Sequence, residues 1–277
     1  MEAPHRISNI WATMDTDKGD LIERSEAYAR WTVPAIMPPD GMEGQEQTKG
    51  NVPTGARLVN HLANRIVEVL YPISRPFFTV ALTPEAKLEI EQELGEEQSG
   101  KMQEAVRDAT SRLEDVAIRK LKLTEYRPVA ILAAKHLIVT GNALLRRMPS
   151  GKRVLYPVNR YGVRRDILGM EREVVLSEKK RFSTFDEATK ADIREVHTQV
   201  KDEDDMELFT LYEKQGKRWK ITQEADGVPL KTESYLNEAD YDLLVLDWSL
   251  HPGEHYGRGL VEDYASTFHN IDVCTEA

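Results

Sequence analysis

The segment from His251 to Asp272 constrains the fold more than any other part of the chain. It begins with a Pro-Gly turn and continues as His255-Tyr256-Gly257-Arg258-Gly259. Glu262 and Asp263 follow, and carboxylates in the first turn of a helix are stabilised by its free N–H groups and its dipole. The apolar residues recur at helical spacing: Leu260, Tyr264, Phe268 and Ile271. This pattern predicts a glycine hinge that leads into a helix with one buried apolar stripe.

Elsewhere in the chain, helical and strand patterns come in separate groups. Five segments show helical periodicity and are predicted to be helices. They are residues 17–31, 54–70 (with Thr54 as the cap), 85–122 (broken near Ser99-Gly100), 128–139 and 184–199. Strands are predicted at 77–82, several times within 142–182, in a hairpin of 206–214 with 218–225, and at 243–249. Residues 32–53 are predicted to form a surface loop. Segregated elements indicate an α+β fold, a helical bundle with a small antiparallel β-region.

Three stretches resemble the bacteriophage head-to-tail connectors, the portal proteins of short-tailed, T7-like phages. They are residues 55–82, residues 140–175 and the hinge, whose order is GRG-x-x-EDY from Gly257 to Tyr264. The resemblance implies a structural subunit with no catalytic residue, no cofactor and no metal. It assigns the junction with the central stem to these residues: His255, Tyr256, Gly257, Arg258, Gly259, Glu262, Asp263 and Tyr264.

The resemblance also implies that the chain divides at the hinge. Residues 1–258 would form the wing region, and residues 259–277 would start the first stem helix. That helix would run past Ala277 and pack beside copies of itself, and the clip, second stem helix and crown would follow in a longer subunit. Gly257 and Gly259 would supply backbone freedom that sets the direction of the stem. Their replacement by β-branched residues would therefore harm assembly more than folding.

The partners that the resemblance implies are those of a channel at the capsid vertex of a virion, assembled in the host cytoplasm. They are a ring of about twelve copies, the capsid and scaffolding proteins, the terminase, a tail adaptor protein, and duplex DNA that passes without sequence specificity. The net charge of −10 agrees with this, because a protein that grips DNA needs a positive surface. No membrane partner is expected, since Lys135 and His136 interrupt the longest apolar run, residues 129–139.

Basic residues occur in pairs that are dispersed along the chain rather than collected in a stripe. Arg146-Arg147 and Arg164-Arg165 lie in the strand-rich region. Dispersed pairs favour solvated faces or contacts between subunits over nucleic-acid binding. We interpret these four arginines as subunit contacts, because an acidic ring needs opposite charge along its interfaces.

A metal-dependent hydrolase is the main alternative that the residues allow. Histidines and acids collect near the end of the sequence: His251, Glu254, His255, Glu262, Asp263 and His269. His251 and His255 have the spacing of two metal ligands on a helix, but Pro252 and Gly253 between them favour a turn. A scaffold or adaptor from outside viruses is a third possibility. The single cysteine, Cys274, excludes an intrachain disulfide.

Overall fold

The computed structural model describes residues 7–38, 53–72 and 76–276, and these residues confirm the α+β prediction. The helices are α1 (Ile7–Asp17), α2 (Gly19–Trp31), α3 (Pro53–Leu70), α4 (Pro84–Leu123), α5 (Tyr126–Thr140), α6 (Glu187–Val196), α7 (Leu260–Asp263) and α8 (Ala265–Glu276). The strands are β1 (Asn142–Arg147), β2 (Arg153–Tyr156), β3 (Tyr161–Arg165), β4 (Glu171–Arg181), β5 (Asp205–Gln215), β6 (Arg218–Ala225), β7 (Val228–Asn237) and β8 (Leu243–Asp247). No described helix is long and apolar enough to span a membrane.

Two antiparallel sheets organise the body. The smaller has the order β2-β1-β8, and the larger is a meander of the order β3-β4-β5-β6-β7. The predicted β5-β6 hairpin is confirmed, whereas β7 was missed although it follows an Asp226-Gly227 turn. The strand predicted at residues 77–82 is wrong. This segment pairs with no strand in the described ranges, and the Val80 N–H is bonded to the Glu114 carboxylate of α4 at 2.6 Å.

The predicted break in the long charged helix is also wrong. Helix α4 continues through Ser99-Gly100 for 40 residues, since each of its two interior glycines, Gly95 and Gly100, costs only about 1 kcal/mol among strong helix formers. The helix begins at Pro84, next to its predicted start at residue 85, and the Thr83 hydroxyl caps it by accepting the Ala86 N–H at 3.2 Å. Thr54 does not cap α3, which begins at Pro53.

Helix α1 was not predicted, because a distant residue stabilises it. The buried Glu224 carboxylate of β6 accepts the N–H of Ile7 at 2.7 Å and the N–H of Ser8 at 3.4 Å. A carboxylate at this end satisfies free N–H groups and favours the helix dipole. The loop predicted at 32–53 also contains a short 3-10 turn, Pro34–Ile36, with Ile36 and Met37 buried. Residues 39–52 of that loop lie outside the described ranges.

A buried lysine forms the corner between α1 and α2. The Lys18 ammonium donates to the carbonyls of Val158 at 3.1 Å and Tyr161 at 2.8 Å, and it lies 3.3 Å from the Asp15 carboxylate. The Trp11 ring covers it, 4.2 Å from the ring centroid. Burial lowers the pKa of Lys18 to about 8. The ammonium thus fixes the helical corner to the start of β3.

The main core lies where α2, α3 and α5 pack on the smaller sheet and on the start of the larger one. Its central helix α5 ends at Gly141, where φ is 77°, a left-handed conformation that favours glycine. This core also encloses a histidine, His136 of α5. The Nδ1 atom of His136 is buried with no hydrogen-bond partner in the described part of the chain, and burial lowers the pKa of His136 to about 4.

His136 should make the fold sensitive to mild acid. Its pKa is about 4 in the folded protein and 6.5 without burial, so between these values the unfolded chain binds more protons. The free energy of unfolding should then fall by roughly 2 kcal/mol as the pH drops from about 7 to about 5. Urea unfolding at both pH values should show this loss, and His136→Gln should reduce it. His61→Gln, on the exposed face of α3, is the control and should retain the full loss.

Candidate functional site

The hinge segment, defined here as residues 255–264, lies across the corner between α5 and β1. The side chain of Asn142, fully buried at the start of β1, joins the two. Its Nδ2 donates to the Gly257 carbonyl at 2.7 Å, and its Oδ1 accepts the Gly257 N–H at 2.8 Å. Asn142 Nδ2 also donates to the Thr140 carbonyl at 2.7 Å. The side-chain amide of Asn142 thus bonds to both the N–H and the carbonyl of Gly257, as the backbone of a neighbouring β-strand would.

Glycine is required at positions 257 and 259 because neighbouring atoms lie too close to leave space for a side chain. It is not required there for a backbone conformation that only glycine favours. Neither residue has a positive φ, and Gly259 is extended, with φ −84° and ψ 159°. A methyl group on Gly259 would lie 2.7 Å from both the Gly141 nitrogen and the Val139 oxygen. On Gly257 it would lie 3.0 Å from the Gly141 oxygen. The predicted reason for these glycines, backbone freedom, is therefore corrected, because the body itself has no space for a side chain there. The effect of their replacement on assembly stays a prediction.

Arg165 holds the other side of the hinge segment. Its side chain is only 6% exposed and lies 2.7 Å from the Asp247 carboxylate. It donates through Nε to the His255 carbonyl at 3.2 Å, and its backbone N–H donates to His255 Nδ1 at 3.2 Å. Burial raises the pKa of Asp247, and Arg165 opposes that shift. The ion pair therefore links the end of β3, the end of β8 and the hinge.

Tyr256 and Arg258 project from the hinge in different environments. The Tyr256 hydroxyl accepts the Val163 N–H at 3.1 Å, and burial raises the pKa of Tyr256 to about 12. The half-exposed Arg258 pairs with Glu254 at 2.8 Å and with Glu262 at 3.6 Å. Glu262 and the exposed Asp263 lie in the first turn of α7, where the sequence predicts them. The segment is thus held through its backbone and through three of its side chains, His255, Tyr256 and Arg258.

The single helix predicted after Gly259 is wrong. Helix α7 ends at Asp263, and α8 begins at Ala265. Between them Tyr264 has φ −111° and ψ 12°, and its N–H donates to the Val261 carbonyl at 3.1 Å. No glycine or proline marks this break in the sequence. Residue 277, past which the helix was expected to continue, lies outside the described ranges.

The apolar stripe of this helix is only partly covered. Tyr264 and Ile271 are exposed, and Leu260 and Phe268 are half-buried, so the prediction of one buried stripe is wrong. Together with α3 these residues form an apolar groove. Its lining is Thr54, Leu58, Val59, Leu62, Ile138, Leu260, Val261, Tyr264, Thr267, Phe268 and Ile271.

The four arginines interpreted as subunit contacts differ in their surroundings. Arg146 pairs within the chain with Asp242 at 3.2 Å, and Arg164 pairs with Glu173 at 3.1 Å. Arg165 is used in the hinge as described above. The Arg147 side chain is exposed and has no ion pair among the described residues. Their contact role stays a prediction, and Arg147 is the one most open to a neighbour.

The hydrolase alternative gains no support from the positions of its residues. Within residues 7–38, 53–72 and 76–276, no group of three histidines, cysteines or acids is placed to hold a metal ion. His255 Nδ1 is bonded to the Arg165 N–H, and Glu254 is paired with Arg258. His269 lies against the Trp31 ring, with 5.9 Å between the ring centroids. Each of these three side chains, His255, Glu254 and His269, is thus used in a contact within the chain.

The sequence patterns did not identify Asn142 and Gly141 as the residues against which the hinge segment packs. A signal for them exists, because Gly141-Asn142 lies in one of the stretches that resemble connectors, and Asn142 precedes the apolar run of β1. An asparagine fully buried at a strand start needs hydrogen-bond partners for its amide. Besides the nearby Thr140 carbonyl, the partners of this amide belong to Gly257, 115 residues away, so the local pattern could not identify them.

The comparisons with known proteins agree with this α+β body and its glycine hinge. The sequence model of the family described as "Bacteriophage head to tail connecting protein" matches residues 5–277. The chain therefore belongs to the family of phage head-to-tail connectors, a class of structural proteins.

Its relatives carry the name portal protein. The chain is 32% identical over 275 residues to the portal protein of Enterobacteria phage SP6, covering 98% of this chain and 52% of the relative. It is 31% identical over 265 residues to that of Pseudomonas phage phiKMV, covering 93% and 51%. The portal protein of Escherichia phage T7 is 24% identical over 285 residues, covering 97% and 51%. The chain thus spans about half the length of the curated relatives that it matches.

Gly259→Ala should destabilise the folded chain. The added methyl group would meet backbone atoms at 2.7 Å, and such overpacking lowers the free energy of unfolding by about 1–3 kcal/mol. Gly100→Ala is the matched control, because no atom lies within 4 Å of its added Cβ in helix α4. That control should raise stability by about 0.5–1 kcal/mol. Urea unfolding followed by circular dichroism measures both, and equal stability of the two variants would contradict the close-contact argument.

Proposed function

We propose that this chain is the wing region and stem junction of a phage portal subunit. In this proposal residues 1–258 form the wing and residues 259–277 start the stem. Copies assemble into a ring of about twelve at one capsid vertex, and DNA enters and leaves through the ring. The observation that carries the proposal is the match of nearly the whole chain to the head-to-tail connector family. The name shared by the relatives, portal protein, supports it.

The anchored hinge suits this function because a stem must leave the body at a fixed angle. Asn142 and Arg165 hold opposite sides of the segment that leads into α7. The Asn142 contact is buried, so water and salt do not weaken it as they would a surface pair. The Arg165 side chain is buried as well, although the hydrogen bonds that it makes to His255 lie at the surface. In the proposed ring, every copy would then present its stem in the same direction. The mechanism is geometric and includes no chemical step.

The charge of the chain favours passage of DNA over binding. A net charge of −10 repels phosphate, and among the described residues most of the predicted subunit-contact arginines already pair with acids. The wing would instead contact neighbouring subunits, with Arg147 as a contact. The capsid and scaffolding proteins, the terminase and a tail adaptor would be the other partners. The mature location would be the virion, after assembly in the host cytoplasm.

The full-length protein should form closed rings. Negative-stain electron microscopy should show rings with a central channel, and native mass spectrometry should give about twelve copies. Rings are expected because head-to-tail contacts between identical subunits close when the rotation per subunit divides the circle. A compact monomer under all conditions of salt and concentration would contradict the proposal. Stoichiometric metal in the purified protein would instead favour the hydrolase alternative.

The purified protein should bind duplex DNA weakly and without sequence preference. Only scattered surface cations can release counterions, so residual binding should fall steeply between about 50 and 200 mM salt. Fluorescence anisotropy with several unrelated duplexes measures this. Binding that resists salt, or that selects one sequence, would contradict a channel that lets DNA slide and would indicate DNA recognition.

A further inference from the structure

The turn between β3 and β4 presents aliphatic side chains to solvent. Ile167 is 93% exposed and Leu168 is 81% exposed, and Met170 beside them is also exposed. Turns are ordinarily polar, and single exposed apolar residues need no explanation. Here three of them are grouped in five residues, 166–170. We call this segment the apolar tip.

The apolar tip is held by hydrogen bonds from both of its ends. Asp166 Oδ1 accepts the N–H groups of Leu168 and Met170, each at 2.9 Å. Asp166 Oδ2 is bonded to Arg172 at 2.7 Å, and the Gly169 carbonyl accepts Arg165 at 3.0 Å. A loop held in this way loses little conformational entropy when it docks. The tip is therefore organised as a ready-made contact.

A recess of matching chemistry lies elsewhere on the same chain. The groove between α3 and α7–α8 has a volume of about 260 Å³, and its lining is almost wholly apolar. Sites for drug-sized ligands measure about 300–1,000 Å³ and contain some polar groups. A cavity of about 150 Å³ already holds benzene. The groove thus suits one or two aliphatic side chains rather than a cofactor or DNA.

We infer that the apolar tip of one copy docks in the groove of the next copy, an inference that rests on the proposed ring. Ile167 and Leu168 would enter between Leu58 and Tyr264, which line the two sides of the groove. Arg172 beside the tip is already paired with Asp166 of the tip, so the match between tip and groove is one of apolar surface and not of charge. A protrusion and a recess at different places on one chain make a head-to-tail contact, the kind that generates rings.

This contact would be an anchor within a larger interface. Stable interfaces bury about 1,200–2,000 Å² in total, far more than two side chains can cover. Within such interfaces a few central apolar residues in pockets carry most of the binding energy. The tip has the features of such an anchor, and the wing surface around it would supply the remaining area.

The first experiment removes the tip in the full-length protein. Ile167→Asp with Leu168→Asp should lower the ring fraction at least tenfold by mass photometry, with an unchanged circular dichroism spectrum. Leu123→Asp is the matched control, because Leu123 is also 81% exposed but lies at the end of α4. This control should assemble normally. If the wild type forms rings and the tip variant forms them equally well, the inference is overturned while the proposed function stands.

The second experiment tests the partner of the tip directly. In a full-length background in which Cys274 and any further cysteine are replaced by serine, the Leu168→Cys, Leu58→Cys double variant should form disulfide-linked ladders of subunits under mild oxidation. Leu123→Cys with Leu58→Cys should not. Absence of a ladder in wild-type-like rings would overturn the tip-in-groove contact. Absence of rings from the wild type would speak against the proposed function instead.

Discussion

The pairing of the Asn142 amide with the Gly257 backbone is the interaction on which the rest of the structure depends. It brings the end of α5, the start of β1 and the segment before α7 to one point, where both Gly257 groups are satisfied at 2.7–2.8 Å. Leaving such buried groups unpaired costs about 1–3 kcal/mol each. The contact of Gly259 with Gly141 is possible only because neither has a side chain. The hydrogen bonds of Asn142 to Gly257 and the close contact of Gly259 with Gly141 therefore hold the hinge in the same position.

The parts of the fold that were predicted from sequence are those set by local chemistry. Helix α4 begins at Pro84, Gly141 ends α5, and the β5-β6 hairpin turns where its residues favour a turn. The parts that were missed depend on distant partners. Helix α1 is capped by Glu224, and residues 77–82 have strand-like composition but are bonded through Val80 to a helix. Local periodicity contains no information about which distant group satisfies a backbone N–H.

The same division holds for the hinge itself. The order of Gly257, Gly259, Glu262 and Asp263 predicted the position of the hinge and its acidic first turn. The role predicted for the two glycines, backbone freedom, was wrong. Two glycines close to a helix suggest flexibility, but here they remove side chains where two backbones touch. The break at Tyr264 could not be predicted either, because the residues around it have the composition of a continuous helix. Sequence could identify the segment, and only the tertiary contacts explain why it is rigid.

The long-range bonds also determine when the body can become complete during synthesis. The partner of Asn142, Gly257, is synthesised 115 residues later, which at about 5–20 residues per second takes roughly 6–23 s. Ile7 waits longer still for Glu224, 217 residues later. Nascent chains would therefore hold α5 and β1 without their final partners until the hinge has left the ribosome. Assembly that needs the finished body would begin only after translation has passed this point, which delays contacts between incomplete chains on one polysome.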